Sequence, residues 1–229
     1  MRNSIMKNIG KINRKGRLFL AFGIYLISIV WAVVYFRYKY VRGSLLSTAD
    51  APKYLGALTF QTIFVNLPII VILIVAICMK GKVAIEKFSF KIRTRSAKII
   101  VIILSLIYVF QLVSWLGFSD EKVTIVFQWL YYLLSVAFLE EFEFRALFPV
   151  ILEKEFSRPV QWILPNILYA LAHCVPMVVT GMELSQILIH TFNNLGWYVL
   201  YGLFLEWCKR KTKCLWGGVL FHALTDFQM

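Results

Sequence analysis

Residues 123–152 read Val123-Thr-Ile-Val-Phe-Gln-Trp-Leu-Tyr-Tyr-Leu-Leu-Ser-Val-Ala-Phe-Leu-Glu140-Glu141-Phe-Glu143-Phe-Arg145-Ala-Leu-Phe-Pro-Val-Ile-Leu152. As a helix this run is about 45 Å long, more than the roughly 30 Å apolar thickness of a bilayer. Its flanks are apolar enough to sit in lipid, yet its middle carries three carboxylates and a guanidinium. A charge at mid-bilayer costs roughly 2.5–3.5 kcal/mol on insertion scales, so such groups pair with one another or line a cavity.

The rest of the chain supports a membrane setting for this segment. Of 229 residues, 60% are hydrophobic, and the mean hydropathy is +0.72. A soluble domain has roughly 45–50% apolar residues. Seven spans are expected, at about 18–36, 57–79, 99–118, 123–152, 160–179, 186–207 and 214–227. The fold class is therefore all-α, a polytopic transmembrane bundle with its cavity among the fourth, fifth and seventh helices. Residues 1–95 hold a basic tail and two spans without motifs, 96–229 the chemical core, and the two make one folded unit. The first span follows basic residues as a signal peptide would. Its apolar run is too long for one, and Arg37-Tyr-Lys39 follows in place of a cleavage site, so it is expected to be retained.

The net charge of +13 resides in loops between apolar runs. That placement points to anionic lipids as partners and against nucleic acid. With the N-terminus in the cytoplasm, nineteen Lys and Arg fall on that side and five on the other, which sets the expected orientation. Cys78, Cys174, Cys208 and Cys214 form no metal-binding spacing and are expected to be apolar filler.

The ionisable residues inside spans are the candidate site. Glu141 and Arg145 are four apart, acid first, the favourable order for a helical ion pair. Glu140 lies about 100° around the helix and is free to face another group. A carboxylate in that position suits general-base chemistry. His173 lies in the next span, and His222 and Asp226 share one face of the last. Counted from the helix ends, Glu140, His173, His222 and Asp226 come to similar depth. His190, Asn193 and Asn194 are expected to serve helix packing.

Glu140-Glu141-x-x-x-Arg145, Tyr169-x-x-x-His173 and His222-x-x-x-Asp226 together resemble the CPBP family. That family contains the type II CAAX prenyl endopeptidases and the bacterial bacteriocin-processing and self-immunity (Abi) proteins. The resemblance covers roughly residues 95–229. It implies a membrane endopeptidase in which Glu140 and His173 activate water. His222 and Asp226 would stabilise the oxyanion or hold the site together, and Glu141 and Arg145 would orient Glu140. No cofactor is certain. If a divalent metal such as zinc is used, Glu140, His173 and His222 are its ligands, although they lack a firm zinc spacing such as HExxH. Asp226 stands where Asn is common in the family, and an ionised Asp is a poor oxyanion donor. Glu143 is not a motif position.

The expected substrate is a membrane-associated or secreted peptide or protein precursor, such as a bacteriocin or pheromone, in a bacterial plasma membrane. A non-catalytic immunity or scaffold protein of the same family is the alternative. Other intramembrane proteases fit less well. A second membrane Asp and HExxH are both absent.

Overall fold

The computed structural model describes residues 13–46, 51–153 and 155–228. Most of the expected basic tail, residues 1–12, lies outside them. Among the described residues there is no strand. Helix α1 is Arg14–Val41, α2 Ala51–Val65, α3 Leu67–Lys80, α4 Lys82–Lys87 and α5 Arg95–Phe118. The long helix α6 is Lys122–Leu152. It is followed by α7 Arg158–Ala172, α8 Val175–Thr180, α9 Leu184–Thr212 and α10 Trp216–Asp226.

Among the described residues four helical runs are long and apolar enough to cross a membrane: Arg14–Val41, Arg95–Phe118, Lys122–Leu152 and Arg158–Thr180. The pair Lys53–Val65 and Leu67–Lys80, bent by 65°, makes a fifth if it counts as one broken span. The expected seven are not reached. The sixth expected span lies within α9, where His190, Asn193 and Asn194 dilute the apolar content. The seventh, α10, has 11 residues, about 16 Å, or half the apolar thickness. Large apolar side chains cover the outer faces, as in α5, where Ile102, Leu106 and Phe110 are 58%, 64% and 71% exposed. Those faces suit lipid, and the protein is a membrane protein.

The sequence sets the breaks through proline. Pro68, in the first turn of α3, has no N–H for the carbonyl of Phe64, and the helix bends there. Trp31 Nε1 of α1 donates to that carbonyl at 2.8 Å. Pro176 likewise ends the regular hydrogen bonding after α7, so His173 sits at a helix end, and α8 restarts beyond it. At the start of α5, Thr94 Oγ1 accepts from Ala97 N at 3.1 Å and caps the helix. Just past the last turn of α10, Phe227 is fully buried. Gln111 of α5 donates to the Phe227 carbonyl at 2.5 Å and satisfies one of the helix's orphan acceptors.

One apolar core joins both halves of the chain. It includes Ala21, Ile69 and Phe88 beside Phe142, Phe148, Leu215 and Val219. α7 packs against α9, and α10 lies between α5, α6 and α9. Three residues differ from the packing expected of them. His190 and Asn193 are exposed, and Asn194 donates to the His190 carbonyl of its own helix at 2.9 Å. An amide can close a bond within its own turn, so it needs no second helix.

Candidate active site

Helix α6 is not uniform. Tyr131–Ala137 and Phe142–Leu147 are wide π-helical turns, and the α-helical Phe138–Glu141 lies between them. π turns inside α-helices recur at functional sites because they re-aim the neighbouring side chains. Here they flank Glu140 and Glu141.

Glu141 faces inward and is fully buried, as is Arg145, whose Nη1 lies 3.4 Å from Glu141 Oε1. The Arg145 guanidinium also lies over the Tyr169 ring at 4.3 Å. His222 Nδ1 donates to Glu141 Oε1 at 3.0 Å. The other ring nitrogen, Nε2, lies 3.3 Å from Asp226 Oδ2 and 3.7 Å from Glu140 Oε2. Thus His222, itself buried, stands among three carboxylates and ties α10 to α6.

Glu140 is different. Its side chain is 26% exposed, and Oε2 has no hydrogen-bond partner. It lines a cavity of about 250 Å³, together with Glu143 and His173. His173 Nδ1 lies 2.9 Å from the Tyr169 carbonyl. A carbonyl only accepts, so Nδ1 carries the proton and Nε2 keeps its lone pair in the neutral ring. The His173 ring packs on Tyr198 at 4.3 Å and on Tyr169 at 4.6 Å.

All six expected site residues therefore gather where α6, α7 and α10 meet. The pairings are uneven. Glu141 with Arg145 and His222 with Asp226 are in contact, whereas Glu140 and His173 share a cavity with no hydrogen bond between them. The carboxylate of Asp226 faces His222, an orienting geometry.

Several neighbours of the site are not evident from motifs. Helix α9 contributes Tyr198 against His173 and Tyr201 against His222, the latter at 5.6 Å. Tyr201 is held by a 2.7 Å hydrogen bond with Thr225 Oγ1. Two glycines allow close approach. A Cβ on Gly202 would fall 1.9 Å from Asn166 Oδ1 and 2.6 Å from Arg145 Nη2, and one on Gly218 would fall 3.0 Å from Glu141 Oε2. Glu143, three residues after Glu140, is buried beside the cavity; its spacing was the available signal. The opposite wall comes from the motif-free helices, with Ser28 and Ala32 of α1, and with Thr62, Asn66 and Ile69 from the bent α2–α3 pair.

Proline shapes the charged knot as well. Pro149 has no N–H to offer the Arg145 carbonyl. Lys209 Nζ of α9 donates to it instead, and Lys209 is paired with buried Glu206 at 3.8 Å.

As arranged, Glu140, His173 and His222 do not form a metal cage. Among the described residues no group of three His, Cys, Asp or Glu side chains could hold a metal ion, and both His222 nitrogens face carboxylates.

Residues 122–228 match the family model of the Rce1-like type II CAAX prenyl endopeptidases. No curated protein and no solved structure matches the chain. The match begins at α6 and ends after α10, and it encloses all six motif residues. The domain at 122–228 is thus an Rce1-like type II CAAX prenyl endopeptidase domain, of the CPBP type that the motifs resemble.

Proposed function

We propose that the chain is an intramembrane endopeptidase in which Glu140, with His173, activates a water molecule against a peptide bond. The observation that carries this reading is the part-exposed Glu140 carboxylate lining one cavity with His173. Glu140 takes a proton from water as the water oxygen bonds to the peptide carbonyl carbon. Collapse of the tetrahedral intermediate breaks the C–N bond, and Glu140 passes its proton to the leaving nitrogen. The Nε2 lone pair of His173 accepts from the same water and orients it.

His222 and Asp226 hold the site, the second of the two roles the resemblance offers. With its ring nitrogens facing Glu141 and Asp226, His222 has little left to give an oxyanion. Asn66 has one amide proton beyond that donated to the Thr62 carbonyl, and it serves as the carbonyl-oxygen donor. Glu141 and Arg145 keep Glu140 on the cavity side.

The substrate is a membrane-associated or secreted peptide precursor, such as a bacteriocin or pheromone. The helices of residues 1–95 form the wall that receives it. The N-terminus is cytoplasmic, in a bacterial plasma membrane. The test is a reconstituted full chain incubated with a library of membrane-inserted and prenylated reporter peptides, read by mass spectrometry. Cleavage that disappears in Glu140→Ala supports the reading. Equal cleavage by the variant at equal folded-protein level overturns it.

A further inference from the structure

Away from the catalytic cavity, two further cavities adjoin each other at the end of α6. The first is a cleft of about 650 Å³ lined by Lys87, Arg158, Lys209, Arg210, Lys211 and Lys213, against only Glu86 and Glu153. Glu86 is already paired with Arg93. The second is an apolar groove of about 340 Å³ between α1, α3 and α6, lined by Leu20, Ile24, Val75, Ala76 and Leu147 among others. Lys87, Val150 and Glu153 line both, so the basic cleft opens directly beside the apolar groove.

The cleft is built as well as charged. Arg210 is fixed by Glu206 at 2.5 Å and lies over the Trp162 ring at 4.9 Å. Trp162 lines the cleft, and its buried Nε1 is a donor with no acceptor in the protein. A buried donor of this kind calls for an acceptor oxygen. Trp207, 48% exposed, lines the same cleft and suits the headgroup level of a membrane, where tryptophan concentrates.

A basic, donor-rich cleft joined to an apolar groove matches a molecule with an anionic oxygen-bearing head and a hydrocarbon tail. We infer that this pair of cavities binds one anionic phospholipid, its phosphate in the cleft beside Arg210 and Trp162 and an acyl chain in the groove. Basic pockets between membrane helices recognise anionic headgroups in this way. Charge complementarity selects the head and the adjoining groove selects a lipid over a free anion.

The test uses the full chain in neutral detergent, with fluorescent phosphatidylglycerol as the probe and phosphatidylcholine and inorganic phosphate as competitors. Phosphatidylglycerol is expected to bind about tenfold or more tighter than phosphatidylcholine. The double variant Arg158→Gln/Lys213→Gln, changed at two exposed positions, is expected to lose about tenfold or more of that affinity, with phosphatidylcholine binding unchanged. Ala76→Phe, which narrows the groove, is expected to weaken long-chain phosphatidylglycerol and spare its dihexanoyl form. Equal affinity of the wild-type chain for the two lipids overturns the inference. Displacement by inorganic phosphate at concentrations matching the lipid also overturns it, because the cleft is then a free-anion site.

Discussion

His222 Nδ1 donates to Glu141 Oε1 across 81 residues of sequence, at 3.0 Å and out of contact with solvent. In the proposed reaction this bond gives the adjacent carboxylates different tasks. Glu141 is spent on Arg145 and His222. Glu140, one residue earlier, is part exposed and lines the cavity. Removing one partner from a buried, charged network leaves the others exposed to the full desolvation cost, on the order of 3–5 kcal/mol. Glu141→Ala is therefore expected to lower stability by about that amount, measured as the loss of folded protein in detergent on heating.

Gly202 is the position where α9 comes closest to Arg145 and Asn166. Gly202→Ala places a methyl group inside contact distance of both side chains, and overpacking of this kind costs about 1–3 kcal/mol. Gly196→Ala, in the same helix with nothing within 4 Å, is expected to be neutral or stabilising by up to about 1 kcal/mol through helix propensity. Thermal unfolding of the two variants side by side checks the contrast.

Lys209 stands in for the hydrogen bond that Pro149 cannot make. Lys209→Met leaves the Arg145 carbonyl without that donor and is expected to destabilise the protein by about 1–3 kcal/mol. Pro149→Ala supplies a backbone N–H in the position to take over. The double variant is expected to be more stable than the sum of the single changes, by about 0.5 kcal/mol or more in a double-mutant cycle. Additive effects would mean that the two residues do not serve one acceptor.

His173 anchors through Nδ1, and in the proposed reaction Nε2 orients the water. Asn is short enough to retain a donor near Nδ1 and has nothing at the Nε2 position. His173→Asn is expected to fold like the wild-type chain and to lose about 100-fold or more in peptide cleavage. A variant that keeps full turnover would remove His173 from the reaction.

The membrane-type helices and the gathering of the six candidate residues were readable for one physical reason: ionisable groups are costly in apolar runs, so their presence there is informative. The i,i+4 spacing of Glu141–Arg145 and of His222–Asp226 carried over to contacts within their helices. What spacing could not give was partnership between helices. Glu140 has His222 at 3.7 Å, with His173 across the cavity. Tyr198, Gly202 and Asn66 matter only through residues distant in the chain, so no local pattern marks them. The count of seven spans is not confirmed where length and polarity compete: α10 stops after three turns, and the amides of α9 offset its leucines.

The central claim is that Glu140 performs chemistry while Glu141 performs structure. It is tested most directly by comparing Glu140→Gln with Glu141→Gln, the same neutral substitution one residue apart. Peptide cleavage and thermal stability are measured on each reconstituted chain. The account predicts that Glu140→Gln abolishes cleavage, by about 100-fold or more, with unchanged stability, while Glu141→Gln loses stability. Cleavage that survives in Glu140→Gln, in a chain as stable as the wild type, would contradict it.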